Sequence, residues 1–439
     1  MMRAEPGSTG RPPIRAGQIR LALHLLVAVA AIVAVKSFVI DPLTGHFGGP
    51  FEDFAAYLGA ARFIARGVSP YAGFNASTVV MTGFDYPPFA AVMVEPLARL
   101  SDHAAMVVWL WLSLACTIAG AVIVARTALP RSWPAVEIGL LAALIFAPAT
   151  YNYWHGQMNP VIFLLLAIAF WAYVRDREVT AGVMLGLAAG IKIAPVVLVV
   201  VLLRRHWWRG TAAMIASGSL SMVVAVGAIG LGPTTTFITR VLPDLLRATG
   251  WVYNQSLGGA ISRLANHSVL LVQPTAPLIQ VGNTAAGLVV VGLAAWATRP
   301  GQRPREVRGA EFGLGVMAML LAGGIAWFPH FVHLLIPLAA VLGLVAVRGL
   351  RAELALAISA AVTLIVFGVV VPAVLVPLTV GWLASASQTG LWWPLLQLFS
   401  IPCFAALWLA LALARGLRRS GPDGEAVAPA QAGGVPLPA

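Results

Sequence analysis

Charge is what this chain has least of. Only 10% of its 439 residues are Asp, Glu, Lys or Arg, against 59% hydrophobic, whereas about a quarter of a soluble domain is charged. An ordinary soluble fold is therefore excluded, because apolar runs of about 20 residues recur along the whole length. Cysteine is scarcer still. Cys116 and Cys403 both fall inside apolar runs, which excludes a disulfide framework or a cysteine metal cluster. Lys36 and Lys192 are the only lysines among 28 basic residues, so the net charge of +12 is carried by arginines. Those arginines sit at the ends of apolar runs, with no basic stripe interleaved with aromatics, so nucleic acid is excluded as a partner. The two halves share neither motif nor hydropathy pattern, which argues against repeat-built transporters.

What is present reads as an all-α polytopic membrane protein. Full spans are expected at 21–40, 104–125, 135–150, 160–174, 211–231, 277–298, 312–328, 331–347, 354–377 and 391–414. The first apolar run, Leu21 to Ile40, is too long for a signal peptide and has no small-residue cleavage site after it, so it is expected to be retained. The chain divides into a cytoplasmic tail, 1–20, one membrane domain, 21–415, and a Pro/Gly/Ala-rich disordered cytoplasmic tail, 416–439. Arginines at 126–131, 175–177, 204–209, 299–308, 348–351 and 415–419 mark the cytoplasmic turns under the positive-inside rule. Segments 41–103, 150–159, 232–276 and 378–390 are then outside.

Thr180 to Leu203 breaks this alternation, since it begins and ends beside cytoplasmic arginines. Pro195 removes a helical hydrogen bond and disfavours helix at Ala194, so a break is expected there. Two arms of about 11 residues reach roughly half-way across a bilayer core. The segment therefore reads as a re-entrant hairpin lining a cavity. Pro87 to Leu100 reads as a second segment that dips back in, giving ten full and two partial passes.

Few polar residues stand near these segments. Glu52 and Asp53 follow the first span; Asp53 is either the N-cap of the next helix or a base, and Glu52 either caps or is solvated. Asp85, before Tyr86-Pro87-Pro88, reads as a turn residue. Lys192 sits mid-hairpin, where it either solvates helix-end carbonyls or meets a lipid phosphate. Gln157 and Asn159 in the Trp154–Pro160 turn offer amides that either read sugar hydroxyls or close the turn. Trp251 to Leu257 carries Asn254 and Gln255, with Arg263 beyond; the alternative there is an aromatic belt and a snorkelling arginine. His330 and His333 share a helix face, but no nearby carboxylates complete a metal site, so none is expected.

In order and spacing these motifs resemble glycosyltransferase family 87. The resemblance rests on Asp53-Phe54 … Tyr57 … Gly67-x-x-Pro70-Tyr71 … Tyr86-Pro87-Pro88 and on Gly156-Gln157-x-Asn159. It continues through Gly186-x-x-x-Gly190-Ile191-Lys192-x-x-Pro195 and Asn254-Gln255-Ser256 … Arg263, covering roughly residues 20–415. The segment Phe328-Pro329-His330-Phe331-Val332-His333 is less polar than the family pattern, so the histidines' roles stay open.

The resemblance implies a GT-C fold of about 10–13 transmembrane or re-entrant helices in the bacterial cytoplasmic membrane, with its active site outside. It implies transfer of mannose from a polyprenyl-phosphate to a glycolipid or lipoglycan, with inversion. The alternatives are an arabinofuranosyl donor, or a flippase or transporter of lipid-linked sugars. Asp53 matches the family's acidic residue and is the implied base. Lys192, Arg263 and His330 are the implied phosphate ligands; Glu52, Tyr57, Tyr86, Gln157, Asn159, Asn254, Gln255 and His333 are the implied substrate contacts. No cofactor is implied, since the leaving group is already a phosphate. Partners are the lipid donor, the acceptor and membrane lipids.

Overall fold

The computed structural model describes residues 16–72, 83–267, 276–375, 377 and 398–419. The expected outer segment 378–390 and most of both expected tails lie outside the described residues. Among the described residues the chain is all-α, and its one β-bridge joins Asn254 to Trp327. Seven helices are long and apolar enough to cross a membrane, which makes this a polytopic membrane protein. They are Arg20–Leu43, Asp102–Ala128, Trp208–Ile229, Pro277–Ala297, Phe328–Arg348, Leu354–Leu375 and Ile401–Arg418.

Three of the ten expected spans take another form. The 135–150 span is a pair, Ala135–Ile145 and Ala147–His155, bent by 50°. Phe146 is extended and Pro148 opens the second helix, so the ladder is interrupted where proline lacks its N–H. Asn159–Val174 is a helix of only 16 residues, shorter than the usual span. The span expected at 312–328 is displaced to Arg305–Ala322. Hydropathy pushed that expectation toward the C-terminus because Arg308 and Glu311 looked unfit for a span interior. Both are in fact buried, Arg308 against Asp176 and Glu311 against Arg205 and Arg303.

The hairpin is present. Glu178–Ile191 rises as a helix, Lys192 is extended, and Ala194–Leu198 and Val199–Arg204 return. The break falls at Lys192, just before the position that Pro195 alone indicated. At 1.5 Å per residue the 14-residue first arm is about 21 Å long, too short to cross a core about 30 Å thick. Arg205 Nη2 meets Asp176 Oδ1 at 3.3 Å, which ties the hairpin's exit to its entry on one side. Gly182, Gly186 and Gly190 line one face of the first arm. A side chain there would collide with Gly210 O, Ser217 Oγ and Ser221 Oγ of the neighbouring Trp208–Ile229 helix. The spacing is the small-residue pattern that lets membrane helices approach closely. The short Pro88–Val94 helix packs on this pair and on Glu52–Ala65, which brings the first outer segment against the hairpin tip.

Candidate active site

The helix Glu52–Ala65 carries two carboxylates in its first turn, where the positive end of the helix dipole favours them. Its N-cap is Phe51, in the left-handed region at φ 52°, with no side-chain cap. Asp53 is therefore not a cap, and that alternative falls away. A non-glycine residue held at positive φ is strained, and the neighbours explain how Phe51 is kept there. Phe51 N donates to Trp154 O at 3.1 Å, and its ring packs edge-on against Phe47 and Phe54.

That contact docks the helix start onto the turn after Ala147–His155. Gly156 ends this helix at φ 67°, the left-handed C-terminal position that glycine fills best. A Cβ on Gly156 would lie 2.7 Å from Phe54 Cβ, so glycine is needed for the approach as well. Trp109 Nε1 donates to Gly156 O at 2.8 Å. The next residue, Gln157, is thereby aimed at Asp53, and its Nε2 donates to Asp53 Oδ2 at 2.6 Å.

From Gln157 a buried network runs to the hairpin tip. Gln157 Oε1 accepts from Tyr57, Tyr86 and Asn159 at 3.3–3.4 Å, and Tyr57 also donates to Tyr86 at 2.8 Å. Lys192 Nζ donates to Asn159 Oδ1 at 3.2 Å and to Tyr86 at 3.4 Å. It lies 2.7 Å from His330 Nε2, while His330 Nδ1 accepts from Trp327 N. A neutral imidazole accepts at one ring nitrogen only, so the contacts at Nε2 and Nδ1 compete for the tautomer. Six sequence-selected residues are thus joined to Asp53 in one network: Gln157, Tyr57, Tyr86, Asn159, Lys192 and His330.

The two carboxylates of the first turn are tuned apart. Burial pushes Asp53 up to about 6; His155 opposes this, Glu52 adds to it, and Gln157 and Lys192 pull it back. Burial also acts to raise Glu52, but the hydrogen bond from His155 Nδ1 at 2.7 Å, its own backbone and the His155 charge outweigh it and hold Glu52 below its usual range. Glu52 therefore stays ionised while Asp53 titrates near neutrality, the separation expected where one of two acids must accept a proton.

Sequence reasoning missed three members. Asp85, read as a turn residue, is raised to about 6 by burial and feels the charges of Lys192 and Asp53. His155 pairs with Glu52. Asn152 accepts from Asn159 at 2.9 Å and donates to Pro329 O at 2.8 Å, linking this turn to the histidine segment. His155 lies inside the Trp154–Pro160 turn and Asn152 just before it, so their local signal was the same as that of Gln157.

Four other expected residues lie outside this network. Arg263 is fully buried, and every guanidinium nitrogen is already a donor, to Trp251 O, Asn254 O or Ser400 Oγ. It braces the 251–257 loop against Ser400. Asn254 donates to Thr249 O and Gly324 O and accepts from Ser256 N and Ala326 N, so its amide is filled by backbone. Gln255 Nε2 donates to Val252 O and Phe399 O, while its Oε1 has no hydrogen-bond partner among the described residues. His333 follows His330 in the 3₁₀ turn Phe328–Leu334 and is buried near Phe163, with no hydrogen-bond partner on Nδ1 among the described residues. One metal-capable grouping exists among the described residues: Glu52, Asp53 and His155 offer ligand atoms within 4.8 Å of one another.

Asp53 and the Lys192–His330 pair thus lie in one largely buried network of a helical membrane protein. Residues 84–324 match the model of glycosyltransferase family 87, and the chain belongs to that family; it is a membrane glycosyltransferase. It is 29% identical over 411 residues to a Mycobacterium tuberculosis protein, across 86% of this chain and 90% of that one. That protein is a polyprenol-phosphate-mannose-dependent alpha-(1-2)-phosphatidylinositol mannoside mannosyltransferase. A Mycolicibacterium smegmatis protein named for the pentamannoside form of the acceptor is 28% identical over 300 residues, 66% of this chain and 68% of that one.

Proposed function

We propose that this enzyme moves mannose from a polyprenyl-phosphate donor to a glycolipid of the phosphatidylinositol mannoside kind, on the extracytoplasmic face. The names of its relatives support the sugar and the two lipids. The arginine bias of the turns supports this face, with both termini inside. The observation that carries the chemistry is the Asp53 carboxylate, raised toward neutrality and held by Gln157.

In a single displacement Asp53 takes the proton of the acceptor hydroxyl as its oxygen attacks the anomeric carbon. The bond from that carbon to the donor phosphate oxygen breaks, and the lipid phosphate leaves with the electron pair. Attack from the face opposite the phosphate inverts the centre. One carboxylate suffices, unlike the paired carboxylates of most glycosidases, because the leaving group needs no protonation. Lys192 and His330 hold the phosphate as its charge grows. Tyr57, Tyr86, Gln157 and Asn159 frame the sugar, and Glu52 orients His155 beside the acceptor. No metal has a role in this scheme.

The test assays one purified sample with mannosyl and arabinofuranosyl polyprenyl-phosphates side by side, with and without a chelator. Transfer from the mannosyl donor alone, untouched by chelation, is expected. Transfer from the arabinofuranosyl donor alone would overturn the sugar assignment. Loss of activity with chelator would assign a metal to Glu52, Asp53 and His155.

A further inference from the structure

Four arginines border one cavity of about 300 Å³ at the end of the bundle opposite Asp53. Arg126 closes the Asp102–Ala128 helix, Arg131 follows it, Arg175 follows Asn159–Val174 and Arg305 opens Arg305–Ala322. Asn159 itself belongs to the candidate active site, so the 16 residues of its helix, about 24 Å, separate the two places. Among the described residues Glu306 is the one carboxylate on the cavity wall. Among the described residues no ion pair joins it to any of the four. Neighbouring arginines are matched: Arg205 and Arg308 meet Asp176, Arg303 meets Glu311, and Arg348 meets Glu353. In the cavity, Arg305 reaches only Thr127 O at 3.5 Å, and Arg175 lies over the Trp171 ring. Arg175 is held below its ordinary value, first by burial and then by Arg305, Arg177 and Arg131. Apart from Thr127 the rest of the wall is apolar, with Phe170, Ala340 and Val347, and Val347 is 62% exposed on the outside of the bundle.

A charge surplus over an apolar wall that opens sideways matches an amphiphile with an anionic head. We propose that this cavity binds the phosphate of an anionic phospholipid from the cytoplasmic leaflet, its acyl chains running down the wall past Val347. Basic pockets between helices on that side are suited to such headgroups. The choice of leaflet rests on the orientation proposed above; the site does not.

The test measures lipid binding by the detergent-solubilised full chain, by native mass spectrometry, with phosphatidylglycerol, phosphatidylcholine and inorganic phosphate. Phosphatidylglycerol should bind at least roughly tenfold more tightly than phosphatidylcholine. The double variant Arg126→Gln/Arg175→Gln should lose that advantage, roughly ten- to thirtyfold for two arginines, with phosphatidylcholine unaffected. Equal phosphatidylglycerol affinity in variant and wild type would overturn the site. Inorganic phosphate displacing the lipid at equal concentration would overturn the lipid and leave a soluble anion. Should the double variant not be recovered folded, Arg131→Gln and Arg305→Gln, both exposed, give the same reading one charge at a time. An inverted orientation would move the site to the other leaflet without changing these affinities.

Discussion

Gln157 and Asp53, 104 positions apart, are joined by a hydrogen bond of 2.6 Å in which the amide donates to the carboxylate. The bond does two things. It orients Asp53, and it favours the ionised form against the burial that raises it.

Gln157→Ala removes that donor, so Asp53 should become harder to ionise. The acid limb of the pH–rate profile, expected near pH 6 in the wild type, should move up by about one unit, the worth of a hydrogen bond to a charged group. An unmoved limb would show that Gln157 does not tune the group being titrated.

Lys192→Met keeps much of the volume and deletes the cation. Donor affinity is expected to weaken at least roughly tenfold, as for a lost charge-assisted contact, with a smaller change in stability. Measuring the donor KM beside the melting temperature checks this. A KM equal to wild type would return Lys192 to a purely structural role as the donor to Asn159 and Tyr86.

Arg263→Met should behave in the opposite way. It strands Trp251 O and Asn254 O, at about 1–3 kcal/mol for each acceptor left unpaired, so stability should fall while the donor KM of the folded fraction holds. A raised KM at unchanged stability would restore Arg263 to the phosphate site.

Much of this arrangement was legible because the sequence is so poor in polar residues. A lysine and a proline inside an apolar run announced the hairpin, and an acidic pair after the first span announced Asp53. Two kinds of feature were not legible. Glu52–His155 and Asp53–Gln157 join residues more than 100 positions apart, and such pairings leave no local periodicity to read. The 251–263 segment is ambiguous for a different reason. Amides and an arginine among aromatics look the same whether they face a sugar or the fold, and here they face mostly backbone and Ser400. The displaced Arg305–Ala322 helix shows the same limit, since its buried charges are matched only by partners from other segments.

The orientation can be checked with single cysteines once Cys116 and Cys403, both buried, are replaced. In intact cells an impermeant thiol reagent should label His46→Cys and leave Arg351→Cys unlabelled, both positions being exposed. The reverse pattern would place the active site on the cytoplasmic side.

The most direct test of the whole account is turnover by Asp53→Asn, since Asn matches the size of Asp and lacks its basicity. The fold should tolerate it. Asp53 is raised in the folded protein, so the stability linked to its proton is complete below pH 4 and lost as pH rises through about 6. At pH 7.5 the variant should therefore be at least as stable as the wild type, by on the order of 1 kcal/mol after allowing for partial solvent access. It should still bind the mannosyl donor while turnover falls roughly 10²–10⁴-fold, the usual contribution of a general base. Turnover within a few-fold of wild type in a folded, donor-binding Asp53→Asn protein would contradict the account, and Asp85 would be the next carboxylate to examine.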